Sequence, residues 1–242
     1  MAFGGAVTGG FGAAAVLASL LAPRRPLAIG IARLWGRVVL RLAGARLRIE
    51  GADTIPRQSY VVMSNHESAL DIPALLAALP SWLRVQFLAK RSLFRIPFFG
   101  IVLRALGFIP VDRDDGGSAR EMFERTLERI HRGHSVLVFP EATRSADGTL
   151  LPFSRGGFLV ALRSHLPILP VGIQGSRSVL PPSSRSLRPG EIVVRVGDPI
   201  PADGLKVSHR RDLSDRCRDV IDELRGGRPA SQGSPGPVAA TT

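Results

Sequence analysis

The chain has 242 residues and 25.9 kDa, enough for one sizeable domain plus an appendage but not for two full domains. Apolar residues make up 45% and charged residues 21%, the balance of a folded core, and the single cysteine, Cys217, excludes an internal disulfide framework or a Cys-rich metal site. Lys and Arg number 32 against 20 acids, and the net charge of +12 favours anionic partners: nucleic acid, acidic lipid headgroups or phosphorylated small molecules. Only Lys90 and Lys206 are lysines. Guanidinium suits bidentate phosphate binding, although a biased codon composition accounts for the arginine excess equally well.

Residues 2–22 carry no charge, and as a helix they would reach about 31 Å, close to the hydrocarbon thickness of a bilayer. Gly4, Gly5, Gly9, Gly10 and Gly12 make insertion only mildly favourable, and Arg24, Arg25 and Pro26 end the run. A secretory signal usually opens with basic residues, and none precede this stretch. Next, Arg33, Arg37 and Arg41 fall at i, i+4 and i+8, one stripe of a helix within Leu27–Leu47. Leu34, Trp35, Val38, Val39 and Leu42 occupy the other side. A basic amphipathic helix with a tryptophan reads as an element lying in the membrane interface; the plainer alternative is a helix packed on the domain with a solvated Arg face. Residues 1–49 are therefore expected to form membrane-anchoring helices, spanning or as a re-entrant hairpin. If they span, Arg24 to Arg48 mark the cytoplasmic side and place the rest of the chain on that face of the cell membrane.

From residue 50 short apolar strands alternate with helical patterns, which predicts an α/β fold with a mixed, mostly parallel sheet flanked by helices over residues 50–225. Strands are predicted at Tyr60–Met63, Val85–Leu88, Phe108–Val111, Val136–Phe139, Ile168–Ile173 and Ile192–Val196. Pro110 marks its strand as an edge or a bulge. Helices are predicted at Ile72–Leu79, Phe99–Leu106, Ser118–His131, Gly157–Ser164 and Asp212–Leu224. Residues 226–242, rich in Gly, Pro, Ser and Ala, are expected to be a disordered tail.

The chain contains no G-x-S-x-G elbow, no H-E-x-x-H, no G-x-x-x-x-G-K and no G-x-G-x-x-G, so acyl-enzyme and metalloprotease chemistry have no support. Asn65-His66-Glu67-Ser68-Ala69-Leu70-Asp71 follows a predicted strand directly. On a regular helix His66 and Asp71 would lie about 140° out of register. They meet only if His66 sits in the turn before a helix that begins near Asp71, a start that Pro73 supports. A carboxylate on one imidazole nitrogen fixes the tautomer and leaves the other as general base. The plain alternatives are a capping Asp71 and an ordinary His66. A second run, Phe139-Pro140-Glu141-Ala142-Thr143-Arg144-Ser145, leaves a strand toward the sheet edge where ligands bind. Arg144 offers a phosphate fork, and Glu141 can orient it or accept from a substrate hydroxyl; the plain alternative is a surface Glu–Arg pair in a turn.

Four blocks, NHESALD, GFIPVDR (Gly107 to Arg113), FPEATRS and LPILPVGI (Leu166 to Ile173), occur in the order and approximate spacing of the glycerolipid acyltransferases. Over residues 50–200 the chain resembles the 1-acylglycerol-3-phosphate acyltransferase group. The resemblance implies that His66 is the base and Asp71 its partner. It implies that Arg113, Glu141 and Arg144 bind the acceptor's glycerol phosphate, with Thr143 and Ser145 lining that loop. Asn65, Pro140, Ala142, Pro167 and Pro170 would shape the site, and Lys90 matches a basic position near the donor's thioester. Ala142 stands where the family pattern has glycine; if that position needs positive φ, the methyl costs about 1 kcal/mol, and otherwise it narrows the space beside the acceptor.

The implied reaction is direct attack of a lysophosphatidic acid hydroxyl on acyl-CoA or acyl-carrier protein, without an acyl-enzyme, metal or other cofactor. Another lysophospholipid or a lipid-linked amine or hydroxyl is the alternative acceptor. An anionic membrane surface is the implied partner, and no nucleic-acid reader motif is present. A non-catalytic membrane-binding protein is the remaining alternative.

Overall fold

Short runs of Val, Ile and Leu with polar loops between them assemble into one sheet. The computed structural model describes residues 26–95, 103–104, 108–111, 116–145, 147–182, 184 and 186–226. The strands are β1 (Ala45–Glu50), β2 (Val61–Ser64), β3 (Val85–Lys90), β4 (Ile109–Val111), β5 (Ser135–Val138), β6 (Ile168–Gln174) and β7 (Gly190–Val196). Among the described residues they form one sheet in the order β1-β7-β6-β2-β5-β3-β4. The five strands from β6 to β4 run parallel, β7 is antiparallel to β6, and β1 is parallel to β7. The sheet is mixed and mostly parallel, as expected. Pro110 lies in β4, a terminal strand, where a missing N–H is tolerated.

Helices cover both faces, which is why β2 and β5 are buried at every position. On one face α1 (Pro26–Leu42) and α2 (Asp71–Ala78) bring Leu40, Ala74 and Leu75 onto Val62, Leu137, Leu169 and Ile173. On the other lie α3 (Gly116–His131), α4 (Arg155–Ser164) and α6 (Arg210–Gly226), with α5 (Ser176–Val179) a short turn after β6. There Ile130, Phe158, Leu213 and Ile221 meet Val61, Met63 and Val136. Alternate residues of β2 thus serve opposite cores, the period of two that a strand imposes.

Two expectations need correction at the amino-terminal side. The amphipathic helix ends at Leu42, not Leu47, because Gly44 at φ 71 turns the chain out of it. Residues 45–50 then form β1, in register with β7 from Ala45↔Gly190 to Glu50↔Arg195. A boundary after residue 49 would cut this strand. Ala-Arg-Leu-Arg-Ile-Glu sits at the sheet edge with Arg46 and Arg48 exposed, so by composition it reads as more of the preceding basic helix.

Helix α1 buries Ala32 and Leu40 and crosses α2 at Gly36, where a Cβ would stand 2.5 Å from the Pro73 carbonyl oxygen. Arg33 donates to the Ala77 carbonyl at 3.4 Å. Leu34 and Leu42 face outward, 52% and 50% exposed. No helix among the described residues is long and apolar enough to cross a membrane. The uncharged run 2–22, most of the predicted helix Phe99–Leu106 and the tail beyond residue 226 lie outside the described residues.

Candidate active site

Six residues separate the end of β2 from the start of α2, and they fold His66 back onto Asp71. His66 Nδ1 lies 2.8 Å from Asp71 Oδ2. The same oxygen accepts the backbone N–H groups of Glu67 at 2.7 Å and Ser68 at 2.8 Å. Asp71 is fully buried, and these three donors at the start of a helix offset the cost of holding its charge there. With Nδ1–H given to the carboxylate, Nε2 is left as the free basic nitrogen. The His66 side chain remains 17% exposed, and its ring stacks on Phe139 with centroids 4.0 Å apart. Stacking below and a carboxylate at one edge leave the imidazole little rotational freedom.

The turn is braced on both sides. Asn65 makes a two-point bond to the backbone of Ile173, donating from Nδ2 to the carbonyl at 2.9 Å and accepting the N–H at 2.7 Å. Glu141 accepts the His66 N–H on Oε1 and the Leu151 N–H on Oε2, both at 2.8 Å. The Ser145 N–H in turn reaches the His66 carbonyl at 3.0 Å. The loop after β5 is therefore tied to the backbone of His66 at both of its peptide groups. Burial pushes the Glu141 carboxyl up, against the pull of these N–H groups and of the charges on Arg225 and His66.

These contacts redistribute the expected roles. Glu141 turns inward, and with both oxygens on backbone N–H groups it does not orient Arg144. Thr143 and Arg144 project outward, and Arg144 has no side-chain partner among the described residues. Ser145 is buried; its hydroxyl donates to Asp147 at 3.1 Å and accepts from the Gly148 N–H at 3.0 Å, so it shapes the loop from within. Pro140 is buried with its carbonyl bonded to the Ser154 N–H. Ala142 adopts φ 62, the strained option of the two considered.

Pro167 precedes β6 and bonds the first residue of β2, at the end away from His66, while Pro170 pairs with Met63, three residues before His66. Ile173 is what the fourth block presents to the site. Lys90 closes β3 in register with Val111, and Arg113 lies outside the described residues.

Four residues take parts that no expectation assigned them, Phe139 and Glu67 from within the motif runs and Arg177 and Arg225 from outside them. Phe139 supports the ring of His66. Arg177 of α5 donates to the Ser145 carbonyl at 3.2 Å, placing a second guanidinium on the Arg144 loop. Glu67 accepts from Asn65 and pairs with Arg225 of α6, both at 3.2 Å. Burial and the neighbouring Asp71 push the Glu67 carboxyl up, and Arg225 pulls it back. Phe139 was visible as the residue closing a strand before Pro-Glu; Arg225 is 158 positions from Glu67 and left no signal.

A free imidazole nitrogen backed by a buried carboxylate, beside a loop carrying an unpaired guanidinium, suits deprotonation of a hydroxyl next to an anionic group. The family model described as Acyltransferase matches residues 46–174. The chain is 34% identical to the 1-acyl-sn-glycerol-3-phosphate acyltransferase alpha of Bos taurus over 207 residues, 81% of this chain and 71% of that one. It is 34% identical over 173 residues to the chloroplastic 1-acyl-sn-glycerol-3-phosphate acyltransferase BAT2 of Brassica napus, 70% of this chain. It spans about half the length of that relative (49%). The crystal structure of the 1-acyl-sn-glycerophosphate acyltransferase PlsC from Thermotoga maritima superimposes with a TM-score of 0.71 at 25% identity, covering 86% of this chain and 87% of that one.

Proposed function

The chain belongs to the acyltransferase family, and from that we propose that it transfers a fatty acyl group from acyl-CoA or acyl-carrier protein to the free hydroxyl of lysophosphatidic acid, giving phosphatidic acid. The observation that carries the reading is the 2.8 Å contact of His66 with Asp71 on a turn whose peptide groups are bonded to the Arg144 loop. His66 Nε2 takes the hydroxyl proton as the oxygen attacks the thioester carbonyl. The C–S bond then breaks, the thiol leaves with that proton, and no acyl-enzyme forms. Asp71 keeps the tautomer and stabilises the imidazolium. Arg144, with Arg113 and Arg177, holds the acceptor phosphate, while Lys90 lies toward the donor.

An apolar pocket between α1, α2 and β3, lined by Ile29, Leu75, Leu79, Leu83 and Phe87 among others, supports a route for the acyl chain. The outward leucines of α1, flanked by Arg37 and Arg41, support attachment of this element to an anionic leaflet on the cytoplasmic side of the cell membrane. The membrane-associated element then comprises residues 1–44, with the acyltransferase domain following. Ala142 favours one variation: its methyl stands in the acceptor loop, where another lysophospholipid headgroup would exploit the changed shape.

The test is acyl transfer by the purified full chain to a panel of lysolipids, with each donor, followed by thiol release. His66→Ala is expected to lower turnover by at least about 10²-fold, and Asp71→Asn to be similarly severe. Arg144→Ala should impair phosphorylated acceptors more than uncharged ones. Folded His66 and Asp71 variants with near-normal rates would overturn the mechanism, and equal losses on both acceptor classes would overturn phosphate recognition by Arg144.

A further inference from the structure

We propose that Arg225, in the last turn of helix α6, is a positioning residue that locks the His66 turn and the acceptor loop into one register. Its Nη1 bridges two segments far apart in the chain, Glu67 Oε1 at 3.2 Å and the Gly148 carbonyl oxygen at 2.6 Å. Nε is fixed by Asp222 at 2.7 Å, so the guanidinium is held from its own helix. Glu67 lies next to the base, and Gly148 lies in the loop closed by Ser145 and Asp147. One side chain thus joins the proton-accepting turn to the anion-binding loop.

The fold places this residue deliberately close. Gly172 of β6 lets α6 approach until its missing Cβ would stand 2.5 Å from the Arg225 backbone nitrogen. Arg195 of β7 binds the Leu224 carbonyl at 2.9 Å, which anchors the end of the helix. Among the described residues, Asp71 on α2, Glu67 in the turn, Glu141 after β5 and Arg225 with its partner Asp222 on α6 are the charged groups packed around the His66 turn, and Arg144 and Arg177 lie on the adjoining loop. Arg225 is the cation set against Glu67 in this group. Without it, a mostly buried carboxylate stays beside the base with no countercharge. While it stays ionised, that unbalanced negative charge favours the cationic over the neutral form of the proton-accepting site, which moves the acid limb of activity to higher pH.

This inference rests on the proposed activity only for its kinetic arm. The full chain, with lysophosphatidic acid in mixed micelles and oleoyl-CoA, is compared with Arg225→Met, Arg225→Lys, Glu67→Gln and the double variant Glu67→Gln/Arg225→Met. Arg225→Met is expected to lower kcat by roughly 10- to 100-fold and to move the acid limb of the kcat/KM profile to higher pH. Arg225→Lys should restore the limb, because it keeps the charge. The double variant should also return it, because no unbalanced carboxylate remains, while kcat stays low. A folded Arg225→Met with wild-type kcat, or with a reduced kcat and an unmoved limb, overturns the proposal. Amide exchange gives a readout independent of turnover: residues 64–71 and 145–151 should both exchange faster in Arg225→Met than in the wild type. If the wild-type chain transfers no acyl group, the proposed function fails, and exchange alone decides for or against the bridge.

Discussion

Ala142 shows how one methyl group records a compromise. At φ 62 the residue sits where a Cβ crowds the backbone, yet the turn is held by the Ala142 N–H on the Phe139 carbonyl at 3.0 Å and by the two bonds of Glu141. Ala142→Gly is therefore expected to stabilise the protein by about 1 kcal/mol, measured by chemical denaturation, with no loss of the fold. The pairing of His66 with Asp71 was legible because both lie in one turn, where Pro73 marks the helix start. The inward course of Glu141 was not. Its neighbour Arg144 suggested an ion pair, and only the left-handed residue between them sends the two side chains to opposite sides of the loop.

At the level of elements, closeness of approach decides what the helices can do. Gly172 admits α6 onto β6, and a Cβ there would also meet Leu224 Cβ at 2.5 Å. Gly172→Ala should destabilise the protein by about 1–3 kcal/mol and reduce turnover further than the stability loss explains, because α6 carries Arg225. Thermal unfolding and the rate of the folded fraction separate the two effects. Helices α3 and α6 were readable from their apolar faces, and β2, β5 and β6 from continuous apolar runs. Strand β1 escaped because an edge strand with arginines on its exposed side has the composition of a surface helix. Its partner β7 lies about 145 residues away, and only pairing with it makes residues 45–50 a strand.

Across the whole molecule, two mostly buried carboxylates shift the pH dependence of stability. Burial raises both Glu67 and Glu141 above the usual carboxylate value, for Glu67 with the help of Asp71. The folded state then takes up protons at a pH where the unfolded chain has already released them. Their contribution to stability is complete below the unfolded value and is lost as pH rises through the folded one. Denaturation at about pH 5 and about pH 7.5 should show a wild-type gain toward acid from these groups, and Glu67→Gln should show a smaller one. An identical pH dependence in the variant would show that Glu67 titrates alike in both states.

By itself the chain determined the α/β alternation, the four ordered blocks and the pairing of an imidazole with a carboxylate, because each of these is written in neighbouring residues. Tertiary structure alone decided that Glu141 braces the backbone of His66, that Ile173 rather than the prolines meets Asn65, and that an arginine from α6 reaches Glu67. Those contacts join segments from different strands and helices. Their existence depends on how closely the layers pack, a property set by absent side chains at Gly36 and Gly172 as much as by the residues that touch.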